Sequence, residues 1–222
     1  MRLFLDTADI SEIRWALATG LIDGVTTDPS LLAAELADRE PFTHVGEICE
    51  LVDGPVTVQV ISIEADGIYR EGRELARIAD NVVVEVPMIE EGLVAARRLV
   101  ADGIRVKVTL VFSAAQALLA AKSGASFVSA FVGPLDDVGM DGAAAIADIR
   151  AIFDRSAIEC EIVASSIRSA HRFLDAARSG ADAAAIPPAV LREMLVHPLT
   201  DLGLDRFLND WSKRIAKTRS GV

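Results

Sequence analysis

The sequence predicts a single-domain (β/α)8 barrel over residues 1–222, with the barrel in 1–197 and an additional C-terminal helix in 198–218. Three observations predict it. Eight short apolar runs alternate with helix-patterned segments from end to end, as βαβ units around a parallel sheet require. Each unit averages about 28 residues, close to the shortest length a βαβ repeat allows. Gly20, Gly103, Gly124 and Gly180 each fall just beyond a helical run, where a left-handed residue stops a helix. A doubly wound open sheet is the runner-up, but no GxGxxG follows the first strand.

The strand candidates are 2–6, 24–28, 56–61, 82–87, 105–111, 126–132, 161–166 and 182–187. Helical candidates lie near 9–18, 30–38, 64–79, 89–101, 113–122, 141–154, 169–178 and 188–195. Asp28-Pro29-Ser30 and Ser113 read as helix starts, because a short polar side chain there accepts from orphan N–H groups. In the tail, Leu199, Leu202, Leu204, Phe207, Leu208 and Trp211 form the apolar face of an amphipathic helix. Two readings of that face stand open: it packs on its own barrel, or it docks on a neighbouring subunit.

Composition excludes several function classes. A net charge of −11 argues against nucleic acid or an anionic membrane as a partner. The N-terminus has one basic residue and too short an apolar run for a signal peptide, so a reducing cytoplasm is expected. Cys49 and Cys160 lack the spacing of a zinc knot or disulfide framework, and no cofactor or metal is expected. His44, His171 and His197 are scattered, with surface or capping roles expected. Arg70, Arg73 and Arg77 alternate with Glu71 and Glu74 on one helix, which reads as a solvated face.

Alternation along each strand sorts residues into a helix-covered outer set and an inner set. With Val82, Val84 and Val86 outward, Glu85 points inward. With Val106, Val108 and Leu110 outward, Lys107 and Thr109 point inward. The same rule turns Asp6, Thr26, Asp28, Thr57, Gln59, Ser129 and Phe131 inward, and places Ser166 at a strand end with Arg168 just beyond. Polar inner residues thus gather at the C-terminal ends of the strands, the face on which barrels of this kind build active sites. Glu85 and Lys107 each cost several kcal/mol if buried unpaired, which singles them out for chemistry.

The stretch LDTADISEIRWALATGLIDGVTTDPSLLA resembles the opening of the small transaldolase and fructose-6-phosphate aldolase family, whose usual form is DTA…DGVTTNPSL. The likeness continues through VPMIEEGL, KVTLVFSAAQALLAAKSGASFVSAFVG, ASSIRS and HPLTDLGLDRFLNDW, nearly the whole chain. The resemblance implies a class I aldolase on this barrel, forming a Schiff base between a lysine and a ketose phosphate. It also implies a homo-oligomer, a pentamer or decamer, and a sugar or sugar phosphate as the small-molecule partner.

The sequence departs from the family pattern where the chemistry should be. The family's lysine in VVKIP or VVKVP is Glu85, and the asparagine of NVTL is Lys107, as if the lysine had moved one strand over. The asparagine of TTNPS is Asp28, the strand-three glutamate is Gln59, and the sixth-strand tyrosine is Phe131. The arginine after FVG, part of the family's phosphate site, is Pro134, whereas Arg168 and Ser166 match that site, and Asp6, Thr109 and Ser129 also match. A carboxylate forms no imine, so an imine here has to be carried by Lys107. Catalytic candidates are therefore Lys107, Glu85 and Asp6, and substrate-binding candidates are Asp28, Gln59, Thr109, Ser129, Ser166 and Arg168. Two alternatives remain: a non-Schiff-base isomerase or lyase using Glu85 with Asp6 or Asp28, and a non-catalytic homologue in which Glu85 and Lys107 simply pair.

Overall fold

The computed structural model describes residues 1–36 and 40–219. Eight parallel strands close into one barrel: β1 (Arg2–Asp6), β2 (Gly24–Thr27), β3 (Val56–Gln59), β4 (Val82–Pro87), β5 (Val106–Val111), β6 (Phe127–Phe131), β7 (Glu161–Ser165) and β8 (Ala183–Ile186). Each strand pairs with its sequence neighbours, and β8 pairs back with β1.

The helices are α1 (Ile10–Thr19), α2 (Pro29–Leu36), α3 (Pro41–Leu51), α4 (Ala65–Leu75), α5 (Glu90–Ala101), α6 (Ala114–Lys122), α7 (Val132–Asp137), α8 (Gly142–Arg155), α9 (Ala170–Arg178), α10 (Pro188–Leu195) and α11 (Pro198–Arg219). The expected helix over 30–38 ends at Leu36, and its last two positions lie outside the described residues. Gly20, Gly103, Gly124 and Gly180 all adopt positive φ, the conformation a helix stop needs.

Two helices are additions to the expected set. In α3, Pro41 occupies the first turn and the Glu40 side chain accepts from the Thr43 N–H, while Val45, Ile48 and Cys49 bury its inner face. Gly46 and an unusual glutamate cap hide that start signal in the sequence. The short α7 continues directly from β6 through Gly133 and Pro134, which a first turn tolerates because its N–H groups lack partners anyway.

The outer valines form the layer between barrel and helices: Val82, Val84, Val86, Val106 and Val108 are all buried there with Ile13, Ile48, Ile68, Leu99 and Phe153. Leu110 breaks the expected alternation. The β5–β6 register shifts between Val108 and Val111, Leu110 takes φ 60°, and it is 41% exposed while Val111 takes its place in the buried layer between barrel and helices. Inside the barrel, Phe4, Val83, Phe127, Val163 and Ala183 fill the N-terminal half. Phe4 and Phe127 meet edge-on, with ring centroids 6.2 Å apart. The guanidinium of Arg2 closes that end over both rings and pairs with Glu161. This plug confines polar chemistry to the opposite end.

His44 corrects the surface role expected for it. Its ring is buried, and Nε2–H donates to the Ala8 carbonyl at 2.8 Å, fastening α3 to the loop after β1. His197 caps as expected, its Nδ1 accepting from Leu199 N–H at 3.1 Å. The apolar face of α11 is not buried on its own barrel: Leu199, Phe207, Leu208 and Trp211 are 69%, 72%, 65% and 63% exposed. No helix among the described residues is long and apolar enough to cross a membrane.

Candidate active site

A cleft of about 500 Å³, part of it open to solvent, lies at the C-terminal end of the barrel. Asp6, Asp28, Gln59, Glu85 and Lys107 form one side of its wall, and Ser129, Phe131 and Ser166 the other. The strand register sets this arrangement: Gln59 faces Glu85 across β3–β4, and Glu85 faces Lys107 across β4–β5.

Lys107 is 1% exposed, yet its ammonium is fully provided for. Nζ lies 3.0 Å from Glu85 Oε2 and donates to Thr26 Oγ1 at 2.9 Å and Thr57 Oγ1 at 3.2 Å. Thr57 Oγ1 in turn donates to Thr26 Oγ1 at 2.5 Å. Three acceptors match the three N–H bonds of an ammonium, which makes burial of the charge tolerable.

Asp6 lies in the same cleft and is partly buried. Burial pushes its carboxyl up to about 6, opposed by the positive Lys107 and reinforced by the negative Asp28 and Glu85. Asp28 serves a second purpose, since its Oδ1 caps α2 by accepting from Ser30 and Leu31 N–H at 2.7 and 2.9 Å. Among the described residues, no group of three or more His, Cys, Asp and Glu side chains is arranged to hold a metal ion.

Two of the expected substrate-binding residues are not in the cleft wall. Thr109 is fully buried at the start of the β5 irregularity, and its hydroxyl has no hydrogen-bond partner among the described residues. Arg168 stands half-exposed at the rim, where Nη1 reaches both oxygens of Asp137 at 2.7 and 2.8 Å.

Three residues join the site without having been singled out from the sequence. Thr27 lines the cleft with a buried, unpartnered hydroxyl. Ser165 shares a 2.5 Å hydrogen bond with Ser129 and lines the cleft beside Ser166. Asp137 holds Arg168. Ser165 had a readable signal, since it lies two residues from the inner Val163 and so on the same face of β7. Asp137 had none, because its partner is 31 residues away.

Comparison with known proteins agrees with this architecture. The sequence profile of the family described as Transaldolase/Fructose-6-phosphate aldolase matches residues 3–219. A probable transaldolase of Hyphomonas neptunium is 54% identical over 214 residues, covering 96% of this chain and 98% of the relative. A probable transaldolase of Desulfosudis oleivorans is 51% identical over 213 residues, covering 96% and 99%. Among solved structures, a thiamine phosphate pyrophosphorylase from Pyrococcus furiosus superimposes with a TM-score of 0.59 at 19% identity, covering 85% of this chain and 86% of that one. At that identity the superposition speaks for the barrel alone. A profile match across the whole barrel, with half of all residues shared with full-length relatives, places the chain in the transaldolase/fructose-6-phosphate aldolase family.

Proposed function

We propose that the protein is a class I aldolase or transaldolase acting on a ketose or ketose phosphate through an imine on Lys107. The observation that carries this reading is the position of Lys107. Of the four lysines in the chain, at 107, 122, 213 and 217, it is the one among the described residues whose side chain lines the cleft. The relatives named probable transaldolases support a carbon–carbon bond reaction.

Imine formation needs the neutral amine, and Glu85, 3.0 Å away, is placed to take the ammonium proton. The amine then attacks the ketose carbonyl, and loss of water from the carbinolamine gives an iminium. Asp6, with its carboxyl near 6, suits removal of the proton from the hydroxyl β to the iminium carbon. The carbon–carbon bond breaks, its electron pair forms an enamine on Lys107, and an aldehyde leaves. Protonation of the enamine followed by hydrolysis of the iminium completes cleavage; attack on a second aldehyde, which takes up a proton on its oxygen, followed by hydrolysis of the new iminium completes transfer and frees Lys107. Thr27, Gln59, Ser129 and Ser166 supply hydrogen bonds to the substrate hydroxyls.

The test is reductive trapping. Borohydride with dihydroxyacetone or fructose 6-phosphate should leave a reduced adduct on the peptide containing Lys107, and none in Lys107→Met. An unmodified Lys107 peptide overturns the proposal.

One observation favours a second reading. The Lys107 side chain already has three acceptors around Nζ, which favours a role as a clamp for a developing oxyanion, with Glu85 or Asp6 moving protons. Turnover that survives in Lys107→Arg without a trapped adduct would support it.

Assembly belongs to the same proposal. The exposed apolar face of α11 is the surface through which a second copy of the chain docks, giving a homo-oligomer.

A further inference from the structure

We propose that the cleft selects unphosphorylated polyhydroxy ketones and aldehydes over their phosphate esters, and that Asp137 imposes this choice by holding Arg168. The inference rests on the aldolase reading for the carbonyl end of the substrate and concerns only the far end.

A phosphate ester needs an unengaged cation where its tail lies. The cleft wall carries three carboxylates, Asp6, Asp28 and Glu85, against a single lysine that is already paired with Glu85. A phosphate dianion entering the cleft meets an excess of negative charge.

The rim does not reverse that balance. Arg168 is the cation beside Ser166: a Cβ built on Gly133 would lie 2.8 Å from Ser166 Oγ and 3.0 Å from Arg168 Nε. Its guanidinium is held by both oxygens of Asp137, and the next arginine of that segment, Arg172, lies 3.0 Å from Asp136. Consecutive carboxylates at the end of α7 thus occupy both arginines. A phosphate would have to displace Asp137 and then sit beside its charge. Pro134, in the same helix, brings no side-chain donor.

What the cleft offers instead is neutral. The Thr27 hydroxyl is 1% exposed as a residue and unpartnered among the described residues, and Ser129 and Ser165 share one hydrogen bond and so retain further capacity. Hydroxyl and amide groups at this spacing suit sugar hydroxyls, which can both donate and accept.

The experiment compares kcat/KM for cleavage of fructose and of fructose 6-phosphate, in the wild type and in Asp137→Asn. The wild type should prefer fructose by about two- to fivefold, the scale expected of a solvent-accessible ion pair. Asp137→Asn should reduce or reverse that preference through KM for the phosphate ester. A wild-type preference for fructose 6-phosphate overturns the proposal, as does an unchanged ratio in Asp137→Asn and in the second variant Asp137→Ser. A titration with inorganic phosphate followed by 31P NMR judges the same point without turnover. Wild type should not saturate at millimolar phosphate, whereas Asp137→Asn should, and that binding should vanish in Asp137→Asn/Arg168→Gln. Saturation of the wild type in that range overturns the inference. If neither sugar is cleaved and Lys107 carries no adduct, the aldolase reading fails, while the phosphate titration still decides the role of Asp137.

Discussion

Glu85 and Lys107 are register partners on β4 and β5, with Oε2 and Nζ 3.0 Å apart and side chains 6% and 2% exposed. Two charges from neighbouring strands therefore meet inside a barrel, each the other's principal means of tolerating burial. Thr26 and Thr57 supply the remaining acceptors, so the pair belongs to a network spanning four strands, β2 to β5.

Breaking that pair on one side should be costly. Glu85→Leu or Lys107→Met should each lower stability by about 3–5 kcal/mol, because the survivor stays buried without its counter-charge. The double variant Glu85→Leu/Lys107→Met should recover most of that loss. Urea denaturation of the four proteins measures the coupling, and single variants that each lose under about 1 kcal/mol would contradict it.

Asp6 gives a pH dependence with a defined sign. Its carboxyl rises from 3.8 to about 6, so the folded state holds a proton that the unfolded state releases earlier. The stabilisation is complete below pH 3.8 and is lost as pH rises through about 6. Relative to Asp6→Asn, the wild type should therefore lose roughly 2–3 kcal/mol across that window. If Asp6 is the base, kcat/KM should rise through the same interval. A stability difference between wild type and Asp6→Asn that stays flat from pH 4 to 7, measured by denaturation, would rule out the burial effect on Asp6.

The tail should govern assembly. Leu204, Leu208, Trp211 and Ile215 recur at helical spacing on α11 and are exposed. The wild type should scatter light as an oligomer, and removing residues 198–222, or making Phe207→Ser/Trp211→Ser, should leave monomers. Wild type that is already monomeric at micromolar concentration would refute the docking role.

Gly133 should tolerate no side chain. A Cβ there would stand 2.6 Å from the Ser166 carbonyl oxygen, which is fixed backbone at a residue with φ 61°. Gly133→Ala should cost roughly 1–3 kcal/mol by overpacking and shift the rim that carries Ser166 and Arg168. Thermal unfolding together with kcat/KM checks both effects; a variant indistinguishable from wild type in both would show that the rim yields freely.

The barrel was legible because its signals are local. Valines alternating with polar residues on β3, β4 and β5, and glycines at helix ends, located every strand to within a residue or two. The same alternation correctly aimed Asp6, Gln59, Glu85, Lys107 and Ser129 into the mouth. It failed at Leu110, where a bulge resets the period; on β7 it puts Ser165 on the inner face with Val163, and the expected Ser166 joins the wall just past the strand end at φ 61°. It misjudged His44, whose burial depends on a helix that its own sequence marks weakly.

By itself, then, the sequence determined the eight-strand barrel, the end at which polar groups collect, and the presence of Glu85 and Lys107 on neighbouring strands. Those properties follow from side-chain period and residue identity. Only the tertiary structure decided that Lys107 is held by Glu85, Thr26 and Thr57, that burial among carboxylates raises Asp6, and that Asp137 occupies Arg168. Each depends on distances between residues far apart in the chain, which barrel closure sets and no local pattern encodes.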